Sequence, residues 1–214
     1  MNRSLFPRAL ALALTAGALS LSWTPANAAA APPPDEPIFE CDGTFTGQTF
    51  KHVVVPEGAT CILRDSSVTG SVRAKNPKTV KIIDTEVRRN IMVRGATHDV
   101  VIGNAGCHFD PLAGNNIKVD NSHNVAICWM TVKNNVMVRG NDGRITLMNN
   151  SVGRNIDVSR NDEYDRQSGD AKHKHPGAIR IKNNTAGGDI KLFNNHPSRT
   201  FRGLSTNTPT PTVK

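Results

Sequence analysis

The feature that most constrains this chain is a pair of short apolar phrases that returns every 19 or 20 residues along much of its length. In one copy the pair is Ile145-Thr-Leu147 followed by Ile156-Asp-Val158, with a polar turn rich in asparagine and glycine between them. A fixed short period of this kind is typical of a solenoid, in which each repeat forms one coil and buries its apolar residues against neighbouring coils.

Columns of apolar residues define the repeat. The first phrase opens at Cys61, Val80, Val100, Val125, Ile145 and Ile179, the second opens at Val72, Ile91, Ile117, Val136, Ile156 and Ile190, and a third column holds Val68, Val87, Val132, Val152 and Ala186. Each phrase alternates apolar and mostly polar residues, which is the pattern of a half-buried strand. We therefore predict an all-β fold, a single-stranded parallel β-helix of about six coils of 19–20 residues, over residues 38–204.

The turns repeat as regularly as the strands. Four residues after the opening of the first phrase stand Asp65, Asp84, Asn104, Trp129, Asn149 and Asn183. Asn and Asp tolerate left-handed backbone, so this column predicts a tight bend at the same place in each coil, with amide side chains bonding from coil to coil. Extra residues interrupt the period at 105–114 and 162–177, and we expect both insertions to form surface loops.

The two ends of the chain read differently from the repeat. Residues 1–28 have the basic start, short apolar run and Ala26-Asn27-Ala28 cleavage pattern of a secretory signal. The apolar run is too short to span a bilayer, so we predict an exported protein with no membrane span. Residues 29–37 are expected to be a Pro-rich disordered leader, and residues 205–214 a disordered tail.

All four cysteines follow the signal, which favours disulfides after export. Of the three possible connectivities we predict Cys41–Cys61, where the first coil must be capped, and Cys107–Cys128, where the first insertion meets the next coil. Metal binding is the rival interpretation, but the chain has no Cys-x-x-Cys pair, and we predict neither a metal nor a cofactor.

Removing the signal lowers the net charge from +8 to +6, because two arginines are lost. Many cations fall at nearby positions of the repeat: Arg73, Lys75, Arg88, Arg89, Arg94, Lys133, Arg139 and Arg154. Such a surface suits anionic polysaccharide or cell-wall polymers, whereas nucleic acid fits less well because aromatic residues are scarce. A solvated face that keeps strand edges apart is the alternative, and Asp120 and Asp157 interrupt the basic stripe.

Other candidate sites are weaker. His173 and His175 have a spacing that can bind a metal, but no third ligand is evident and an exposed loop explains them more simply. Trp129 either stacks on a sugar or packs under the first insertion beside Cys107 and Cys128. Acidic residues do not pair across coils outside the turn column, and no catalytic motif is present, so we predict a protein without catalytic activity.

The phrase Val132-Lys-Asn-Asn-Val136-Met-Val138 and its next copy beginning at Val152 resemble the repeats of small secreted right-handed β-helix proteins of actinobacteria. The opening Cys41-Asp-Gly-Thr-Phe45 is part of the same resemblance. It implies the fold and an exported location, and it brings no catalytic residues. The combined prediction is a secreted structural or binding module at the cell envelope. The alternative is a small carbohydrate-active enzyme, a polysaccharide lyase or hydrolase of the β-helix type.

Overall fold

A computed structural model describes residues 38–103, 112–162, 179–196 and 201–213. The predicted signal, leader and most of both insertions lie outside these ranges. The described strands are β1 (Ile38–Glu40), β2 (Gly43–Thr46), β3 (Thr49–Phe50), β4 (His52–Val55), β5 (Thr60–Arg64), β6 (Ser67–Val68), β7 (Val72–Lys75), β8 (Thr79–Ile83), β9 (Glu86–Val87), β10 (Ile91–Arg94), β11 (Val100–Gly103), β12 (Leu112–Ala113), β13 (Ile117–Asp120), β14 (His123–Cys128), β15 (Thr131–Val132), β16 (Val136–Arg139), β17 (Asp142–Met148), β18 (Ser151–Val152), β19 (Ile156–Ser159), β20 (Ile179–Lys182), β21 (Thr185–Ala186), β22 (Ile190–Phe193), β23 (Phe201–Arg202) and β24 (Thr212–Val213).

These strands form three parallel sheets, and the chain visits the three in turn. Sheet A runs β1-β4-β7-β10-β13-β16-β19-β22-β24, sheet B runs β2-β5-β8-β11-β14-β17-β20-β23, and sheet C runs β3-β6-β9-β12-β15-β18-β21. The predicted parallel β-helix is therefore confirmed. Sheet B has one strand before the first predicted coil and one after the last, so the solenoid is longer than the six coils expected from the apolar columns. Those outer coils were missed because Gly43 and Phe201 take the positions that Val or Ile fill elsewhere.

The strand register follows the predicted columns. Val125 lies beside Ile145 and Ile145 beside Ile179, while Ile156 lies beside Ile190. The second insertion is thus accommodated without a slip in register on either side. All of these side chains are buried, because alternate residues of each strand point into the space between the sheets.

The predicted bend has left-handed backbone in every described coil that carries it. The angle φ lies between 46° and 58° at Asp65, Asp84, Trp129, Asn149 and Asn183. A second left-handed column, which the sequence did not reveal, follows the strands of sheet A and includes Asn76, Asn121, Arg160 and Asn194. Each coil therefore turns twice through a conformation that Asn and Gly adopt most readily.

Amide bonds from coil to coil were predicted for the bend column. Most of them are made instead by the asparagine that follows a bend residue, whose side chain points into the solenoid. One buried ladder joins Asn150, Asn184 and Asn207, and a second joins Asn141, Asn161 and Asn195. Each ladder amide Nδ2 also donates to a backbone carbonyl of the preceding coil. These side chains are buried and hydrogen-bonded, as buried polar groups must be. In the bend column itself, Asn183 Nδ2 donates to Asn149 Oδ1 at 3.0 Å.

The N-terminal end is closed by a disulfide and an aromatic cluster. Cys41 and Cys61 are bonded, as predicted, and both are fully buried. Phe39 packs on Phe45 and Phe50 with ring centroids 4.9 and 4.4 Å apart. The aromatic rings cover the end of the core, where an interior coil would have a neighbour.

The C-terminal segment is ordered, which contradicts the expectation of a disordered tail from residue 205. A 3-10 helix spans Leu204–Thr206, Thr208 bridges to Thr185, and β24 pairs with β22. The expectation was wrong because this coil lacks the repeated apolar phrase and is held instead by side-chain bonds from Asn207.

Candidate anion-binding face

The outward face of sheet A carries two rows of side chains, with one residue of each row on each strand. The first row runs Arg73, Met92, Lys118, Met137, Asp157 and Lys191, and the second runs Lys75, Arg94, Asp120 and Arg139. Parallel strands lie about 4.8 Å apart, so successive members of a row are within reach of one another. The face therefore presents charges at a regular short spacing along the solenoid axis.

The predicted cations divide between this face and an adjoining corner. Arg73, Lys75, Arg94 and Arg139 point outward from sheet A. The others occupy the turns between sheet C and sheet A: Arg88, Arg89, Lys133 and Arg154. The structure thus places the basic residues on sheet A and on the corner beside it. Trp129 lies elsewhere, on the turn between β14 and β15 that joins sheet B to sheet C.

Several of these cations are neutralised by nearby carboxylates. Arg88 pairs with Glu86 at 3.3 Å, and Arg139 pairs with Asp157. Outside the predicted set, Lys118 pairs with Asp120 at 2.8 Å, and Lys191 pairs with Asp189 at 3.1 Å. The alternation of charges makes the C-terminal half of the face nearly neutral, so Arg139 contributes little to any excess of positive charge.

The excess positive charge lies at the N-terminal half of sheet A. Arg73, Lys75 and Arg94 are exposed and have no ion-pair partner within the described ranges. They border a groove of about 390 Å³ whose floor includes Ala74 and Met92. A guanidinium donates two parallel hydrogen bonds to a carboxylate, sulfate or phosphate, and the Lys75 ammonium adds a third charge beside it.

Two residues of this groove were missed in the sequence. Met92 and Lys118 line it together with the predicted cations, and Asp120 closes one side. The sequence pattern could have indicated Met92 and Lys118, since each is the middle residue of a strand phrase and so faces outward. The Asp120 Oδ1 atom is buried and has no hydrogen-bond partner in the described structure.

Other predicted sites are outside the described residues or do not assemble there. Cys107, His173 and His175 lie outside, so the Cys107–Cys128 bond and the histidine cluster stay predictions. Within the ranges that are described, no three His, Cys, Asp or Glu side chains form a group that could hold a metal ion. The same part of the chain contains no helix with the length and apolar character of a membrane span.

The turn at Trp129 is unusual in its backbone. Its φ of 58° places a bulky residue in the left-handed region, where the other described members of the column are Asn or Asp. The side chain is half-buried. Left-handed backbone costs a residue with a Cβ about 1–2 kcal/mol, and the backbone N–H of Trp129 donates to Met148 O of the next coil at 3.0 Å, which helps to hold this turn.

Comparisons with protein-family models, with curated proteins and with solved structures each returned no match to this chain. Function is therefore argued from the surface that the fold builds, because a solenoid fold alone does not define an activity.

Proposed function

We propose that this chain is an exported, non-catalytic binding module that holds anionic polymers in the basic groove of sheet A. The observation that carries the proposal is the group of three cations, Arg73, Lys75 and Arg94, which lack ion-pair partners among the described residues and surround one groove. Elsewhere on the sheet, cations are matched by carboxylates. Unmatched charges so close together repel one another, and a bound polyanion would relieve that repulsion.

The geometry favours an extended polymer over a compact anion. The cations lie on two neighbouring strands, and the exposed cations of the adjoining corner, such as Arg89 and Arg154, continue along the axis. A polymer with one acidic group per sugar would meet successive cations as it runs from coil to coil. Acidic polysaccharide and phosphate-rich wall polymers both have this character. Nucleic acid fits less well, because the groove contains no aromatic side chain on which bases could stack.

Export is part of the same proposal. The signal-like residues 1–28 support it, and so does the Cys41–Cys61 disulfide, since such bonds form and persist in oxidising compartments. A released molecule with a rigid basic face would meet wall polymers or extracellular polysaccharide directly. No covalent step is assigned to any side chain.

The test is binding of polygalacturonate, with neutral dextran as the comparison polymer, measured by calorimetry at increasing salt. The triple variant Arg73→Ser, Lys75→Ser, Arg94→Ser should weaken binding of polygalacturonate at least about tenfold and flatten its salt dependence. The matched control changes three outward cations of sheet B, Lys81→Ser, Arg180→Ser and Arg202→Ser, and should bind almost as the parent does.

Equal losses in the two triple variants would contradict the proposal, because affinity would then follow net charge alone and not this groove. Appearance of unsaturated or reducing ends during the measurement would replace it with the enzymatic alternative.

A further inference from the structure

A second groove lies on the outward face of sheet B, across β11, β14 and β17, and has a volume of about 320 Å³. Its floor is formed by Val101, Ala126 and Thr146, which are register partners on the three strands. One wall consists of Asp99, Asn124 and Arg144, each two residues before a floor residue in the sequence. The basic groove of the proposed function lies on a different sheet.

The floor is recessed because Ala126 has a short side chain. Along its row the neighbours Val101 and Thr146 are larger, and Lys81 and Arg180 stand at the next strands on either side. The depression is thus about three strands wide, or roughly 10 Å between the outer strands. That size suits a ligand of one or two rings.

The wall is held in place by its own hydrogen bonds. Asn124 has left-handed backbone, with φ of 44°, at a shift in register between β14 and β17. Its Oδ1 accepts a bond from the backbone N–H of Arg144 at 3.0 Å, and its Nδ2 donates to Asp99 Oδ1 at 3.3 Å. The amide therefore bonds the Asp99 carboxylate and the backbone of Arg144, and it does not contact the Arg144 guanidinium. A wall that is organised before binding loses less entropy when a ligand arrives.

The polar groups of this wall differ from those of the basic groove. Asp99 supplies a carboxylate that accepts hydrogen bonds, and Arg144 supplies an exposed guanidinium that donates them. The two charges that line this groove sum to zero, whereas the lining of the basic groove carries an excess of positive charge. Two neighbouring hydroxyl groups of a sugar can donate to the Asp99 carboxylate and accept from the Arg144 guanidinium. The C–H face of the sugar ring can pack on the aliphatic floor formed by Val101 and Ala126.

We propose that the groove formed by Asp99, Asn124 and Arg144 over Val101, Ala126 and Thr146 is a binding site for a neutral saccharide. This groove lies on sheet B, so the inference does not depend on anion binding by sheet A. It assigns the chain two recognition surfaces with different chemistry.

The experiment titrates the ¹⁵N-labelled full-length disulfide-bonded protein with maltotriose, cellotriose, triacetylchitotriose and mannotriose, following backbone amide shifts. We expect at least one sugar to give saturable shifts that centre on Asp99, Asn124 and Ala126. Ala126→Phe should fill the recess and abolish saturation, and Asp99→Asn should weaken binding about tenfold or more through the lost charge-assisted bond. Thr44→Phe is the matched control, since Thr44 points outward from the same sheet on β2, beyond the groove.

Absence of saturable shifts at the groove with all four sugars would overturn the inference. So would saturable binding that survives Ala126→Phe, provided the variant keeps the parent's dispersed spectrum. The triple variant on sheet A separates the two proposals, because it should remove binding of polygalacturonate and leave the saccharide affinity within about twofold.

Discussion

The side chain of Asn161 is the most informative single position at which to test the buried ladders. It is 1% exposed. Its Nδ2 donates to Asn195 Oδ1 at 2.9 Å and to Val138 O at 3.0 Å. Its Oδ1 accepts from the backbone N–H of Asn141 at 2.9 Å and from Asn141 Nδ2 at 3.0 Å. One amide thus holds three coils together.

Replacing Asn161 with Ala removes four side-chain hydrogen bonds. Asn141 Nδ2 keeps its bond to Val119 O, and Asn195 Oδ1 keeps the backbone N–H of residue 161. A hydrogen bond contributes about 1 kcal/mol net to stability, so the loss of four gives about 4 kcal/mol. Whole domains are stable by about 5–15 kcal/mol, and the variant should therefore be close to unfolding. Asn134→Ala is the control, because Asn134 is only half-buried and its side chain makes a single 3.3 Å bond to Asn115.

The assay is urea denaturation of parent and variants, followed by far-ultraviolet circular dichroism at one pH and salt concentration. Asn134→Ala should shift the free energy of unfolding by less than about 1 kcal/mol. If Asn161→Ala lost no more than the control, the ladder bonds would contribute nothing net, and the assignment of inter-coil stability to them would be refuted.

Asn161→Asp adds a dependence on pH. One oxygen of the new carboxyl would keep the two donors of Asn141. The other would replace Nδ2 and face the acceptors Val138 O and Asn195 Oδ1. Burial together with these two acceptors should raise the pKa in the folded state above the value of about 3.9 in the unfolded chain. The loss of stability relative to the parent should be smallest below pH 4 and should grow as pH rises through the interval between the two pKa values. A loss that stayed constant from pH 3 to pH 8 would contradict buried ionisation.

Three further predictions follow from the described contacts. Ile156→Asp should lower the free energy of unfolding by at least about 3 kcal/mol, since Ile156 is fully buried. Lys191→Gln, on the outward row, should change that free energy little. Equal shifts in melting temperature for the two variants would reject the strand register. Replacing both Cys41 and Cys61 with Ser should cost about 3 kcal/mol through the lost cross-link over 20 residues, measured as a lower urea midpoint, and an unchanged midpoint would contradict an end cap. Gly114→Ala should lower the melting temperature more than Gly58→Ala does. A Cβ at Gly114 would lie 1.8 Å from Arg88 O, whereas Gly58 has open space around it and only a positive φ. The reverse order would show that the stacked turns can open.

Much of the fold could be predicted because the determining signals are local and periodic. The alternation around Ile145 and Ile156 fixes which residues point inward, and the Asn and Asp residues of the bend column report its left-handed backbone. The Cys41–Cys61 bond followed from the need to cap a coil. These features require no knowledge of which distant side chains meet.

The ends and the site were harder to predict for a physical reason. The terminal coils replace the apolar phrase with Phe and Gly, and the last one is held by Asn207, so periodicity cannot detect them. On the basic face, the alternation correctly placed Arg139 and Asp157 outward. Whether two outward charges form an ion pair depends on diagonal contacts between coils. Those contacts join Arg139 to Asp157 and leave Arg94 without a partner in the described part of the chain, and the alternation pattern does not predict them. A charge count along the sequence therefore overestimated the free positive charge on sheet A.

The last described member of one ladder bonds differently from the members before it. Asn207 accepts two bonds from Asn184, at 2.9 Å each, as every earlier member accepts from the coil before it. Its own amide then turns back, donating to Ile181 O at 3.0 Å and to Gly203 O and Leu204 O within its own turn, at 2.8 and 2.9 Å. No forward-pointing donor remains for another coil. Asn207 thus ends the ladder with its own donors satisfied, and residues 201–213 should serve as a C-terminal cap when transplanted behind a shorter or longer run of coils in a designed solenoid.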